Sequence, residues 1–459
     1  MTPRLDSLPA ELADQIMSYL DLGDVSSVRL ASRVLQLSCA ERRFRDFFAS
    51  RRVSLSEESL QTLVELTAHR VLGPAVRKLS IIATVHDTTK IERQVTTRTT
   101  SSTTHTGVFF GTTTQDCTEE EMAQARLVLR LMTERKEEQA RMGVTGLDVR
   151  LLTMAFRNLG RLAALSLSAE VYQDLTHRAL PERGGAWRPI WERASATYRV
   201  VLTALAQSHL AVERLGIFDD VRRCSVPVDE IHETMSHAEL DGLRHVLAHV
   251  RVLSLSFSSR LDLEGEREVE AEGEEDNEEV SKAPAQLLGL ASELEELDLH
   301  VLQPVKGKAM RDLMCHHILT SVPLPKLCAC RLRGVHATED SLKEFLHNCP
   351  GLDRLELRDF CLDKGTWTSV FQQLAGETCG VSSLTFSFLY ERTIIEFDKS
   401  LAHLSERQYS SARLNQRSLK VNREQLQHGI RYAPSRARLK ASAETYRMYQ
   451  QRQLEYGSR

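Results

Sequence analysis

Residues 352–357, Leu352-Asp353-Arg354-Leu355-Glu356-Leu357, contain the pattern that decides the fold. An apolar residue is followed by Leu three positions later and by another apolar residue two positions after that. Because the side chains of a strand alternate between its two faces, Leu355 and Leu357 share one face. The pattern therefore predicts a short strand with one buried face.

This strand pattern occurs eight times along the chain. The eight instances are Val76/Leu79/Ile81, Leu162/Leu165/Leu167, Val212/Leu215/Ile217, Val250/Leu253/Leu255, Leu294/Leu297/Leu299, Leu327/Cys330/Leu332, Leu352/Leu355/Leu357 and Val381/Leu384/Phe386. In the sixth instance Cys330 takes the central position, which a small buried thiol can do. The last four instances are about 25 to 33 residues apart, close to the period of leucine-rich repeats.

Helical stretches separate these strands, for example at 196–209, 236–249 and 339–348. We therefore expect an α/β fold in which residues 51–400 form an irregular leucine-rich-repeat-like solenoid, curved and with parallel strands on its inner face. An ordinary α/β domain whose buried strands happen to share a pattern remains the alternative.

The chain begins with a different kind of pattern, Leu8-Pro9-Ala10-Glu11-Leu12-Ala13-Asp14-Gln15-Ile16-Met17-Ser18-Tyr19-Leu20. Pro9 suits the first turn of a helix, where its missing N–H is no loss. Leu12, Ile16 and Leu20 recur every four residues, which predicts one apolar stripe along a helix.

Two further short helices are expected before residue 50. Asp24 is a plausible N-cap for the second, and the third lies near 40–49. The second helix is expected to carry the apolar residues Val25, Val28, Leu30, Val34, Leu35 and Leu37. Three helices of this size bury little surface alone, so such a unit usually depends on a neighbouring domain or a partner.

These first fifty residues resemble an F-box. The run Leu8-Pro9-x-Glu11-Leu12-x-x-x-Ile16-Met17-Ser18-Tyr19-Leu20, then Asp24-Val25, then Val28-Arg29-Leu30-Ala31-Ser32-Arg33 follows the order of the F-box pattern. Phe44 and Phe47 stand where many F-boxes carry a Trp in the third helix. A generic helical cap on a repeat protein is the alternative interpretation.

The resemblance implies a non-catalytic subunit of an SCF-type cullin–RING ubiquitin ligase, of a kind common in fungi. Residues 1–50 would bind the Skp-type adaptor, which bridges to the cullin and its RING subunit, and the repeat domain would hold an unknown protein substrate. The adaptor-binding residues implied are Leu8, Pro9, Leu12, Ile16, Leu20 and Leu30. Val28, Leu30 and Leu35 would hold the helices together. A repeat scaffold without a ligase role is the second candidate function.

Composition sets limits on the partners and the compartment. The 459 residues carry a net charge of −4 and are 42% hydrophobic, so no global field points to nucleic acid or to a membrane. The sequence contains no apolar segment like a signal peptide or a membrane span. Nine scattered cysteines indicate reduced thiols, and we expect an intracellular protein, cytoplasmic or nuclear.

Three segments depart from the repeat pattern. Residues 86–117 are rich in Thr and Ser, and residues 264–284 are strongly acidic, so we expect both insertions to be disordered. Residues 401–459 form a basic tail, expected to be partly helical or disordered. From Ser405 onward the tail carries twelve Lys and Arg residues against four Glu.

No motif for catalysis or cofactor binding stands out. His232 and His237 are one residue too far apart for a zinc-protease helix, whereas His245 and His249 have the right spacing but lack a third ligand. Cys315, His316, His317, Cys328 and Cys330 form a mildly suggestive cluster. We therefore expect no catalytic centre, metal or cofactor, with an unrecognised hydrolase or metalloprotein as the remaining alternative.

Overall fold

The computed structural model describes residues 8–37, 41–106, 109–175, 188–221, 224–237, 240–258, 274–302, 308–376, 380–391, 393–397, 417–427 and 429–434. The helices are α1 Ala10–Ser18, α2 Leu22–Ala31, α3 Arg33–Leu35, α4 Glu41–Asp46, α5 Glu57–Ala68, α6 Thr89–Thr97, α7 Glu119–Thr145, α8 Leu147–Leu159, α9 Arg188–Ser208, α10 Val228–His237, α11 Leu240–Leu247, α12 Glu274–Gly289, α13 Lys308–Ser321, α14 Glu339–Asn348, α15 Trp367–Ala375 and α16 Arg423–Gln427. The strands are β1 Ser50–Ser54, β2 Lys78–His86, β3 Thr99–Thr106, β4 Phe109–Asp116, β5 Arg161–Tyr172, β6 Ala211–Ile217, β7 Val226–Pro227, β8 Val252–Ser258, β9 Glu296–Leu302, β10 Ala329–Arg333, β11 His336–Thr338, β12 Arg354–Arg358, β13 Cys361–Lys364, β14 Ser383–Ser387, β15 Tyr390–Glu391, β16 Thr393–Phe397, β17 Ser418–Asn422 and β18 Tyr432–Pro434.

The fold is α/β, with a mostly parallel central sheet. Its strands lie in the order β1-β2-β5-β6-β8-β9-β10-β12-β14-β17, and β7 pairs with the end of β8. All neighbours along this order are parallel except β14 and β17, which are antiparallel. The strands therefore follow one another across the sheet in nearly the order in which they occur in the chain.

The eight strands predicted from the repeated pattern all lie in this sheet, which confirms that prediction. Their central residues pair in one row: Leu79, Leu165, Leu215, Leu253, Leu297, Cys330, Leu355 and Leu384. None of these side chains is more than 4% exposed. They share one core with helix residues that include Phe156, Leu202 and Phe345, so the helices cover this face of the sheet.

A second sheet runs beside the C-terminal part of the first, in the order β11-β13-β15-β16-β18. Its strands β11, β13 and β15 are parallel and directly follow β10, β12 and β14 in the chain. Trp367 is fully buried beside this sheet, and its Nε1–H donates a hydrogen bond to the Tyr390 carbonyl over 3.0 Å. Each of these late units thus contributes one strand to each sheet.

The Thr-rich segment 86–117 is not disordered as expected. It contains the end of β2, helix α6 and the antiparallel pair β3–β4. Ile91 of α6 packs with Ala125, Val128 and Met132 of α7 in a small separate core. A composition rich in Thr suggested a polar loop, but β-branched Thr favours strands, and that local preference prevails here.

The other two segments are described only in part. Residues 264–273 lie outside the described residues, whereas 274–284 belong to helix α12, which corrects the expectation of disorder there. Ala283, Leu287 and Leu288 bury one side of this helix. Within the predicted basic tail, β17 pairs with β14 and closes the sheet, and the rest of 401–459 lies largely outside the described residues.

Among the helices that the structure describes, none combines the length and apolar character needed to cross a membrane.

Candidate functional site

The N-terminal helices α1–α4 have a small core of their own. Its buried members are Ala13, Met17, Val25 and Leu35, and the partly buried side chains packed against them are Leu20, Val28, Phe44 and Phe47. This cluster is separate from the main core between the sheet and its helices. The described N-terminal residues therefore form a unit with a core of its own.

Helix α1 presents different side chains inward and outward. Ala13 and Met17 are four residues apart and face the small core, at 3% and 1% exposure. Leu12 and Ile16 precede them by one position, about 100° around the helix, and are 49% and 37% exposed. The predicted apolar stripe therefore faces away from the core at two of its three positions.

Further apolar side chains of the same unit are exposed. We use the term N-terminal apolar surface for Leu12, Ile16, Tyr19, Leu22, Leu30, Val34 and Leu37. These seven belong to a set of twelve large apolar residues that are exposed among the described residues. More than half of that set thus falls within 26 residues, and exposed apolar clusters of this kind mark interaction sites.

The predicted adaptor-binding residues differ in their exposure to solvent. Pro9, Leu12 and Ile16 are exposed, and Leu8 and Leu20 are half-buried. Leu30 is 91% exposed, so the prediction that it helps hold the helices together is wrong, whereas Leu35 does so. The reason is that Leu30 follows the buried Val25 by five residues within α2, about 140° around the helix, and so faces away from the small core.

The N-cap of the second helix also differs from the prediction. Asp21 caps α2, and its Oδ1 accepts a hydrogen bond from the Asp24 backbone N–H over 2.8 Å. Asp24 lies in the first helical turn, where its negative charge is favourable. Both residues are good caps, and the helix begins at the earlier one.

Two phenylalanines of the third predicted helix pack under arginine side chains. The guanidinium of Arg29 lies 3.6 Å from the centre of the Phe44 ring, and that of Arg43 lies 4.5 Å from Phe47. Arg43 also donates to the Ser18 carbonyl over 3.3 Å. These contacts connect α2 and α4 with the end of α1 and so help to fix the helices that carry the N-terminal apolar surface.

The sequence pattern does not predict the outward direction of Tyr19, Leu22, Val34 and Leu37. It predicts one continuous second helix that includes Val34 and Leu37, and such a helix would turn them differently. The break at Ser32 was detectable in principle, because Ser is a common N-cap and its hydroxyl accepts from the Leu35 N–H.

The face of the central sheet opposite the leucine row is lined by charged side chains near its C-terminal end. We call Glu296, Asp298, Arg331, Arg333, Arg354 and Glu356 the charged face. Arg331 lies between two acids on neighbouring strands, with Nε 2.8 Å from Glu356 and Nη1 3.2 Å from Asp298. Arg333 and Arg354 contact Asp298 and Glu296 at 3.0 and 3.2 Å.

All of these residues except Arg333 line a depression of about 400 Å³. Burial, and then the negative charges of Asp220 and Asp298, raise the pKa of Asp219 at its edge. Burial, with Arg333 and Arg358 nearby, lowers the pKa of His300 to about 3, so this ring is neutral at pH 7. The depression combines both charges with hydrogen-bonding groups, which suits a polar polypeptide surface.

A group of possible metal ligands lies on the second sheet, away from the predicted cysteine cluster. His336, Cys361 and Asp363 place their ligand atoms within 4.8 Å of one another. Burial lowers the pKa of His336 below its usual range. In the predicted cluster, Cys315 and Cys330 are buried thiols whose pKa burial raises, so they pack rather than react.

The histidines singled out by spacing contact each other. The rings of His245 and His249 lie 4.9 Å apart, and His249 Nδ1 is 2.7 Å from the His245 carbonyl oxygen. This contact with the backbone is that of a residue closing its own helix. The described part of the chain contains one group of three or more metal-ligating side chains, and this pair is not in it.

No family model matches the chain, and no curated protein is significantly similar to it.

Proposed function

We propose that the protein is the substrate-recognition subunit of an SCF-type cullin–RING ubiquitin ligase. Residues 1–50 act as an F-box that binds a Skp-type adaptor. The sheet and helices that follow act as a leucine-rich-repeat-like solenoid that binds a protein substrate. The chain performs no chemistry itself, and the ubiquitin-conjugating enzyme recruited through the RING subunit transfers ubiquitin.

The observation that carries this proposal is the N-terminal apolar surface. Leu12 and Ile16 are exposed on the helix that carries the Leu-Pro start of the F-box-like pattern. A helical unit that only capped the solenoid would turn these side chains toward the main core, yet the two cores are separate. Exposed apolar side chains on helices favour helix-against-helix recognition of a partner.

The strand order supports the solenoid part of the proposal. Consecutive units add neighbouring parallel strands, and the last four instances of the pattern keep a spacing of about 25 to 33 residues. Stacked units of this kind present an extended surface on the side of the sheet that the helices leave open. The charged face lies on that side and is our candidate for the substrate-binding surface.

The mechanism is one of proximity. The adaptor end fixes the protein to the ligase while the charged face holds the substrate, so that substrate lysines are at high effective concentration near the loaded enzyme. The two surfaces lie on different elements: the N-terminal apolar surface on α1–α3 and the residues next to them, and the charged face on β9, β10 and β12. Variants that impair one surface should therefore leave the other intact.

Co-purification with a recombinant Skp-type adaptor tests the proposal directly. We expect the wild-type chain to bind and the double variants Leu8→Ala with Pro9→Ala, and Leu12→Ala with Ile16→Ala, to lose binding. Each buried apolar anchor should contribute about 2 kcal/mol or more to such an interface.

A matched control is available on the repeat helices. Leu127 and Leu240 are 42% and 46% exposed, close to the values of Leu12 and Ile16. The variant Leu127→Ala with Leu240→Ala should bind the adaptor like wild type. Adaptor binding that survives both N-terminal double variants would reject the F-box assignment, and a wild-type chain that does not bind the adaptor would favour the scaffold function.

A further inference from the structure

Two consecutive units bring a histidine and a cysteine together. Strands β11 and β13 are parallel, and His336 pairs with Cys361 across them. The two residues are 25 positions apart, the same separation as the paired Arg331 and Glu356 of the central sheet. Their meeting is thus a direct result of the repeat spacing.

An irregularity in β13 adds a carboxylate to this pair. The register shifts between Ala337 and Thr338, which pair with Leu362 and Lys364, so Asp363 is the extra residue of a bulge. Bulges re-aim a side chain and are frequent beside functional sites. Asp363 Oδ1 lies 3.5 Å from His336 Nδ1 and 4.0 Å from Cys361 Sγ.

We propose that His336, Cys361 and Asp363 bind a single zinc-type divalent cation, with a fourth coordination position open to solvent or to a ligand. Imidazole nitrogen, thiolate sulfur and carboxylate oxygen are the ligands that zinc takes in proteins. Three protein ligands with one open position form a known type of zinc site.

The distances are close to those such a site needs. Zinc bonds of about 2.0 to 2.3 Å at tetrahedral angles place ligand atoms roughly 3.3 to 3.7 Å apart. The His336–Asp363 separation of 3.5 Å already fits, and the Cys361–Asp363 separation of 4.0 Å needs only a small approach. The His336 side chain is 5% exposed, whereas that of Asp363 is 26% exposed, which leaves a route to solvent.

The charge balance also permits a cation. The positive charge of Arg311 acts on His336, but Arg311 is paired with Asp312, with Nη2 2.9 Å from Oδ1. A divalent cation bound by one thiolate and one carboxylate forms a neutral complex, which Arg311 does not repel. Binding releases the Cys361 thiol proton to solvent, while the neutral imidazole and the carboxylate bind without losing one.

The contacts do not favour a nucleophilic role for the same residues. A cysteine nucleophile needs histidine between the thiol and the orienting acid. Here the Asp363 oxygen itself contacts both His336 and Cys361. All three ligand atoms lie within 4.8 Å of one another, which suits the coordination of one ion. A cation there would join two consecutive units and stabilise their pairing.

The test uses the whole 459-residue chain, stripped of metal with a chelator and titrated with Co²⁺ and then Zn²⁺. We expect one equivalent of Co²⁺ to bind with a thiolate-to-cobalt charge-transfer band, and Zn²⁺ to displace it, as the order of metal affinities requires. Zn²⁺ should also raise the melting temperature, because it binds the folded state.

The variants separate this site from adventitious binding. Cys361→Ser should abolish the band, and Asp363→Asn or His336→Gln should weaken binding at least about tenfold. If the variant of the buried His336 fails to fold, the weaker metal binding expected of Asp363→Asn tests the site instead. Cys328→Ser removes another half-buried thiol, and His249→Asn removes an exposed histidine, so both should behave as wild type. Absence of a one-equivalent site, or a band unchanged in Cys361→Ser, would overturn the proposal.

Discussion

Ile16 and Met17 are neighbours on α1, yet Met17 is 1% exposed and Ile16 is 37% exposed. One residue therefore holds the N-terminal unit together while the next remains available to a partner. This separation makes the two roles independently testable.

We predict that Met17→Ala destabilises the N-terminal unit by about 2 to 5 kcal/mol, because it leaves a cavity in a core with few other members. Ile16→Ala should change stability by only about 0.5 kcal/mol, since the side chain is partly exposed. Hydrogen exchange of residues 10–37 measures both effects on the helices themselves. Equal loss of protection in the two variants would contradict the assignment of Met17 inward and Ile16 outward.

A second prediction concerns Gly334, at the turn between β10 and β11. Its φ is +70°, and a Cβ there would lie 2.3 Å from the Val301 carbonyl oxygen. Gly334→Ala should therefore destabilise the protein by more than about 1 kcal/mol. Gly289→Ala is the control, because a Cβ at Gly289 meets nothing within 4 Å, and it should be neutral or slightly stabilising. Urea denaturation of both variants measures the difference in stability. Equal midpoints would refute the close approach of the Gly334 and Val301 backbones.

The repeated pattern predicted the central sheet well because burial is a local requirement there. Leu355 and Leu357 must both face the helices, and a period of two expresses this directly in the sequence. The register could also be inferred, since Leu355 pairs with Cys330 and Leu384, the central residues of the adjacent instances. The spacing of the apolar residues does not reveal the turns that follow the strands. Asp359, directly after β12, has a φ of +52°, and the apolar pattern does not predict this conformation.

The candidate sites were less predictable because they depend on which way individual side chains face, and the apolar periodicity does not determine this. Leu30 fits an apolar pattern, yet its place on α2, five residues after the buried Val25, turns it to solvent. The bulge at Asp363 is invisible in sequence, although aligning units 25 residues apart would have placed His336 beside Cys361. Composition was misleading for 86–117. The high Thr content predicted disorder, yet β3 and β4 in this segment form an antiparallel pair.

A third prediction concerns the charged face. Reversing the charge with Arg331→Glu places an acid between Asp298 and Glu356. Because Arg331 is 49% exposed, losing its ion pairs should cost at most about 1 kcal/mol in stability. Substrate capture should fall, as measured by proximity labelling with the proteasome inhibited, while adaptor binding stays at the wild-type level.

The control for the charged face is Arg244→Glu, which reverses an exposed arginine on α11, away from that face. It should leave the labelled proteins unchanged. If Arg331→Glu and wild type label the same proteins to the same extent, the substrate does not bind this part of the sheet.

The last prediction concerns pH. His86 at the end of β2 is 6% exposed, and its Nδ1 has no hydrogen-bond partner among the described residues. Burial, followed by the charges of Arg135, Lys136 and Arg193, lowers its pKa to about 4. The unfolded chain binds a proton near pH 6.5 and the folded chain does not, so stability is lost as the pH falls from about 6.5 toward 4.

His86→Gln should remove this part of the pH dependence, which we expect to be on the order of 2 kcal/mol between those pH values. The measurement is the free energy of unfolding at pH 7, 5.5 and 4.5 for wild type and variant. His245→Gln serves as the control, because this histidine is exposed and its loss should leave the slope unchanged. A slope that is as steep in His86→Gln as in wild type would mean that another group takes up the proton on unfolding.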